Sequence, residues 1–247
     1  MIADESRVGP PLMGRVRRDA IHHYRARFSH PLARVDARFR RDDPALVVRA
    51  TMRDLTLRLE LDERAAPPPM TAIAPVEGGI VNLTEKRALM PVRGSLLARG
   101  RRFSLDGAQG GLDFTHGLLA RETAWNWAFM MGRTKAGERI GLNLVQGFVG
   151  EPECVLFVGD ELVPLAEGRF EYEREATHRP WRVRTADGAV DLTFTPGATH
   201  REEQNLGLVS SRFLQPVGAF SGVIRAGGET HEIEHALGVV EDQRVRW

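Results

Sequence analysis

A chain of 247 residues and 27.5 kDa, 42% hydrophobic and 27% charged, is long and apolar enough to bury a sizeable core, which excludes an intrinsically disordered protein. Its single cysteine, Cys154, excludes an internal disulfide and a cysteine-built zinc site, and fits a reducing compartment. The net charge of +1 conceals an asymmetry, because residues 1–41 carry ten arginines against four acids.

That basic arm lacks interleaved aromatics on which bases could stack. No helix-turn-helix, zinc-finger or RNA-recognition signature follows it, so no nucleic-acid partner is expected. Of the 34 basic residues only Lys86 and Lys135 are lysine, so arginine is the default cation throughout. No apolar run approaches the ~18 residues of a transmembrane segment, and the first residues lack the apolar stretch of a signal peptide. A soluble, cytoplasmic protein is expected.

In chain order, Leu12, Val16, Ala20, Tyr24 and Phe28 recur every four residues and predict a short helix over 12–28, inside a basic arm spanning 1–44. Pro31 and Pro44 bound a second basic stretch. From Ala45 the texture changes. Leu55, Leu57, Leu59 and Leu61 alternate with Thr56, Arg58 and Glu60, the period-two mark of a half-buried strand. AAPPP at 65–69 is a break, and NLTEKRALM at 82–90 reads as one helical turn at most. Short strand patterns separated by turn residues then recur to the end, with hairpin turns at 158–160 and 186–188. Strands without intervening 10–15-residue helices predict an all-β fold, an antiparallel barrel or sandwich with a short N-terminal helical arm. The expected organisation is the arm over 1–44, a first and shortened β unit over 45–110, and a second β-barrel unit over 111–247.

His231-Glu-Ile-Glu-His235 matches the zinc-protease pattern H-E-x-x-H, but that chemistry needs a helix to bring both histidines to one metal. Here the pentapeptide lies in a predicted strand, which places His231, Ile233 and His235 on one face, and no metal is expected. Nucleophile-elbow, P-loop and dinucleotide motifs are absent, and no cofactor is expected. Cys154, in an apolar run, is expected to pack rather than react.

The densest segment is 113–128. Read as a strand, one face carries Ala120, Glu122, Ala124, Asn126 and Ala128, and the other Thr123, Trp125, Trp127 and Phe129. The next strand offers Gly141, Asn143, Val145 and Gly147 on one face. If the small faces of both strands point into a barrel, they line a cavity that holds Glu122, Asn126 and Asn143. A carboxylic acid in a dry cavity stays protonated near neutrality, so Glu122 is the first candidate proton donor and His116 the alternative. Asn126 and Asn143 would orient acid or ligand, and Trp125 and Trp127 would supply apolar walls. Asp113, Glu241 and Asp242 are lesser candidates, since acids beside turns are usually solvated.

Five blocks, THGLLARETAWNWA, IGLNLVQGF, PWRVRTADGAVDLTFTP, HREEQNLGLVSSRFLQPVGAFSG and LGVVEDQRVRW, resemble in order those of a bacterial family catalogued as domain of unknown function 2804. NLTEKRALMPVRGSL resembles a further block upstream, so the resemblance covers residues 45–247. At the level of fold the family is similar to lipocalin-like proteins that include carotenoid 1,2-hydratases, tocopherol cyclases and some fungal Diels–Alderases. Those proteins hold long apolar substrates in paired β-barrels. The resemblance implies a lipocalin-like architecture of two packed β units and an apolar small-molecule partner. Two functions fit: a cofactor-independent hydratase, isomerase or cyclase acting on a hydrophobic unsaturated molecule, or a non-catalytic binder of a lipid or terpenoid.

Overall fold

A computed structural model describes the backbone of residues 4–6, 14–20, 23–30, 33–39, 45–52 and 54–247, and the side chains of 45–51 and 54–247. The described chain is antiparallel β-structure, with two single 3₁₀ turns at Glu151–Glu153 and Arg174–Ala176. It divides into two compact units. The first comprises Met1–Ala66 and Met90–Gly110, the second Pro67–Leu89 and Gly111–Trp247.

The first unit begins with six strands that pair successively: β1 (Asp4–Ser6), β2 (Gly14–Ala20), β3 (His23–His30), β4 (Ala33–Phe39), β5 (Ala45–Met52) and β6 (Leu55–Asp62). The helix expected over 12–28 is therefore corrected to a pair of strands, β2 and β3. The same residues also fit a period of two: Tyr24, Ala26 and Phe28 alternate with Arg25 and Arg27, and Ala33, Val35 and Ala37 with Arg34 and Asp36. With short apolar residues spaced both ways, the neighbouring strands decide, because they supply hydrogen-bond partners to the backbone. Leu12, Pro31 and Pro44 lie outside the described residues. In β6 the predicted alternation holds, the four leucines being less exposed than the residues between them.

Three strands follow: β7 (Met70–Pro75), β8 (Val81–Ala98) and β9 (Arg101–Ser104). Residues 92–98 of β8 pair with β6, and Gly94 sits there with φ +144. A Cβ at Gly94 would lie 2.1 Å from the Arg58 carbonyl oxygen, so only glycine fits.

In the second unit β7 pairs with residues 81–86 of β8, and β10 (Gln109–Leu118) lies alongside through Ile80 N–H donating to the Leu118 carbonyl. NLTEKRALM is thus part of a strand rather than a helical turn. Nine further strands complete the unit: β11 (Glu122–Arg133), β12 (Arg139–Gly147), β13 (Val155–Val158), β14 (Glu161–Pro164), β15 (Gly168–Glu171), β16 (Trp181–Thr185), β17 (Val190–Asn205), β18 (Ser210–Ala226) and β19 (Glu229–Arg246). They form one sheet in the order β14-β13-β12-β11-β19-β18-β17-β16-β15, with the C-terminal strand β19 at its centre beside β11. The sheet curls into a half-barrel, and the Phe170 N–H at its far end donates to the Gln146 side chain at the end of β12. The hairpin turns at 158–160 and 186–188 are present.

The concave side of this sheet is filled. Ala128, Met130, Leu142 and Leu144 pack with Trp181, Phe194 and Phe220, all of them fully buried. The Phe194 and Phe220 rings lie 4.8 Å apart, and burying each such side chain stabilises the unit by roughly 1.5–3 kcal/mol. At Ala128 this side of β11 therefore abuts packed neighbours, while Ala124 nearer its start is exposed. Register explains the difference from the expected cavity. Ala128 stands opposite Leu144, Asn126 opposite Gln146 and Phe129 opposite Asn143, so small residues of each strand meet bulky residues of the other. Cross-strand partners share a face, which puts Asn143 with Trp127 and Phe129, and Asn126 on the other side.

Candidate functional site

Residues 81–86 of β8 invert the usual strand pattern, because the buried alternate residues are polar. Asn82, Thr84 and Lys86 are 1%, 0% and 3% exposed. Polar groups at such depth persist only when partnered, and here the partners converge on one ammonium. Lys86 Nζ lies 2.5 Å from Asp113 Oδ1 and 3.5 Å from Glu153 Oε2, and 5.7 Å above the Trp127 ring. Asn82 Nδ2 donates to Glu153 Oε1 at 3.1 Å. Asn143, fully buried, donates to the Glu153 carbonyl at 2.7 Å and accepts the Trp127 indole N–H at 2.8 Å.

On the same face of the sheet, Glu241 of β19 stands opposite Trp127. Its carboxylate is buried and held by two neutral donors, Trp125 Nε1 at 2.8 Å and Gln215 Nε2 at 2.9 Å. No salt bridge reaches it among the described residues. Burial pushes the Glu241 carboxyl above the ordinary glutamate range, and the negative charge of Asp113 adds to the shift. Burial likewise raises Glu153, with Lys86 opposing. One ammonium thus faces three carboxyls. Lys86 neutralises Asp113 at the shorter contact, and the low dielectric favours the neutral acid for Glu153 and Glu241. Two buried acceptors, Asn82 Oδ1 and Gln243 Oε1, have no hydrogen-bond partner among the described residues. Half-buried Trp125 and Trp127 form the apolar walls, with the Phe148 ring 5.6 Å from Trp125. Phe148 takes φ +56, a left-handed conformation that costs a bulky residue energy and is held here by its surroundings.

The sequence-predicted residues divide between two faces and the surface. Trp125, Trp127 and Asn143 come together beside Glu241. Asn126 faces the other way, where its amide lies 3.4 Å from the Tyr172 hydroxyl, which donates to Asp242 at 2.6 Å. Glu122 is exposed, opposite Arg246, on an open groove of about 490 Å³ that Arg212 and Arg244 also line. His116 is exposed on β10. Neither therefore occupies the dry setting that would keep an acid protonated. Lys86 and Glu153 were missed because hydrophobic periodicity ignores a strand whose buried face is polar. A signal did exist at position 86, one of two lysines in a chain that otherwise uses arginine: a compact ammonium fits between two carboxyls where a planar guanidinium does not.

The H-E-x-x-H segment is a strand within β19, as expected. Its histidines do not share a face, however, because Phe220 pairs with Ala236 while Gly222 pairs with Ile233. The extra residue is a bulge that turns His235 outward while Ile233 and Ala236 both remain in the core. Cys154 is buried, and burial pushes its thiol up to about 11. Among the described residues no helix is long and apolar enough to cross a membrane.

Comparison with known proteins places this geometry in context. A family model described as Domain of unknown function (DUF2804) matches residues 5–247, so the match takes in the basic N-terminal segment as well as the span 45–247. No curated protein matches the sequence. Among solved structures, CghA in complex with Sch210972 superposes with a TM-score of 0.52 at 12% identity, covering 94% of this chain and 74% of that one. A Nitrosomonas europaea protein assigned as an AttH gives 0.50 at 13% identity, covering 96% and 82%. Kievitone hydratase from Nectria haematococca gives 0.43 at 13% identity, covering 93% and 84%. At these identities the first two establish a shared fold and nothing of the chemistry.

Proposed function

The chain belongs to the DUF2804 family, and we propose that it is a cofactor-independent proton-transfer enzyme acting on a hydrophobic, unsaturated small molecule. The observation that carries this reading is Glu241, a buried carboxyl held by neutral donors alone. Burial favours the protonated form of such an acid, which can deliver its proton to an alkene carbon, leaving a carbocation and the carboxylate. A water molecule adding to that cation, and losing its extra proton to the carboxylate, completes a hydration. Loss of a neighbouring C–H proton to the carboxylate completes an isomerisation. Trp125 and Trp127 hold the apolar substrate and face the developing cation. Gln243 Oε1, two residues along the same strand face and without a partner, accepts a hydrogen bond from the attacking water or from a substrate hydroxyl. Asn143 fixes the Trp127 indole, and Lys86 pairs with Asp113.

Incubation of the protein with a panel of polyenes and terpenoids in D₂O tests the reading. The expected product carries one deuterium at the protonated carbon, and Glu241→Gln loses turnover while still retaining ligand in native mass spectrometry. A protein that copurifies with an apolar ligand and turns over no member of the panel is instead a lipid or terpenoid carrier. If Glu122→Gln or His116→Ala abolishes turnover and Glu241→Gln does not, the acid is misassigned.

A further inference from the structure

A second cluster lies in the same unit but apart from the polar network above, where the β11–β12 turn meets the start of β19. His231 is 5% exposed, yet its imidazole makes no hydrogen bond among the described residues. Its Nδ1 faces the carboxylate of Glu138 at 3.5 Å. Glu229, two residues earlier on the same strand face, completes a trio whose nitrogen and carboxylate oxygens all lie within 4.8 Å of one another.

Local structure sets this arrangement up. The turn is closed by Thr134 N–H donating to the Glu138 carbonyl and by Glu138 N–H donating to the Thr134 hydroxyl, which fixes the Glu138 backbone. Glu229 begins β19 directly after Gly227 and Gly228, both with positive φ, so the hairpin holds it beside His231. The turn's one cation is engaged on the opposite face of β19, where Lys135 lies 3.4 Å from both Glu232 and Glu234. Neither Glu138 nor Glu229 forms a salt bridge to lysine or arginine among the described residues. Two carboxylates and the Nδ1 of a largely buried histidine are therefore left facing one another with no fixed positive charge between them.

We propose that Glu138, Glu229 and His231 bind a divalent transition metal ion of the zinc class. A nitrogen donor beside two carboxylate oxygens suits zinc or cobalt and disfavours magnesium and calcium, which take oxygen ligands. A tetrahedral ion with bonds of about 2.0 Å sets its ligand atoms about 3.3 Å apart, and the two exposed glutamates close that far by side-chain rotation. Water fills the remaining coordination position. The ion clips the β11–β12 turn to the β18–β19 hairpin. It uses the first histidine of the H-E-x-x-H segment but neither of that segment's glutamates, and the bulge keeps His235 away.

The test uses the full chain without an affinity tag, stripped of metal by a chelator and titrated with Zn²⁺ by calorimetry and with Co²⁺ by visible absorbance. One ion per chain is expected, with a raised thermal midpoint. The double variant Glu138→Gln/Glu229→Gln, at two exposed positions, is expected to keep its circular dichroism spectrum and lose at least tenfold in affinity, whereas His235→Ala binds as the parent does. His231→Gln should abolish the cobalt spectrum. Absence of saturable binding to the parent, or unchanged affinity in the double variant, overturns the proposal, as does a loss of binding in His235→Ala.

Discussion

The Trp125 indole donates its N–H to Glu241 Oε1 at 2.8 Å, although the residue directly opposite Trp125 on β19 is Gln243. The diagonal reach joins the most apolar wall of the site to its buried acid, and it is one of two hydrogen bonds that oppose the upward pull of burial on that acid. Removing the donor while keeping an aromatic ring should move the acid in a known direction. In Trp125→Phe the Glu241 carboxyl should titrate at higher pH than in the parent, as read by carbon-13 NMR. A shift to lower pH would mean that the indole does not stabilise the ionised form.

Trp127→Phe keeps a ring above Lys86 but leaves the Asn143 side-chain oxygen, fully buried, without its donor. The expected loss is about 1–3 kcal/mol of unfolding free energy in urea titration, the cost of an unsatisfied buried acceptor. A change below a few tenths of a kcal/mol would show that Asn143 has an alternative partner.

Glu153 sets the pH dependence of stability. Burial raises its folded-state pKa above the unfolded value, so the stabilisation that comes with the protonated form is complete below the unfolded pKa and disappears as pH rises through the folded one. Glu153→Gln removes the titrating group, while Lys86 keeps Asp113. The stability of the variant minus that of the parent should therefore grow as pH rises from the ordinary glutamate value of about 4.3 toward neutrality. Thermal midpoints across that range measure it, and a flat or falling difference would contradict a raised pKa.

Cys154 should be inert. With its thiol pushed up to about 11 by burial, roughly one molecule in three thousand carries the thiolate at about pH 7.5. A thiol reagent should label the native chain at least a hundredfold more slowly than the urea-unfolded chain. Equal rates would place the sulfur at the surface.

The readable parts of the molecule were those where apolar and polar residues alternate. β6 and the two hairpin turns follow directly from such patterns, whereas Asn143, expected beside Glu122 and Asn126, lies with Trp127 instead. Two kinds of error arose elsewhere. Over residues 14–30 the apolar positions fit both a four-residue and a two-residue spacing, and pairing with neighbouring strands decides between them. At β11 and β12 each strand was read correctly as alternating, but register is a property of the pair. With Ala128 opposite Leu144, the two small faces point to opposite sides, and Asn143 parts from Asn126. Glu241 ranks low in the sequence because acids beside turns are usually solvated. Its burial depends on Trp125 and Gln215, neighbours in space from strands distant in sequence.

The ionisation of Glu241 bears most directly on the whole account. Carbon-13 NMR of the side-chain carboxyls, followed from acid to alkaline pH and assigned with Glu241→Gln, should show this group titrating above the ordinary glutamate value of about 4.3. A Glu241 carboxyl that ionises at or below that value would leave no proton to donate at neutral pH, and the proton-transfer function would fall with it.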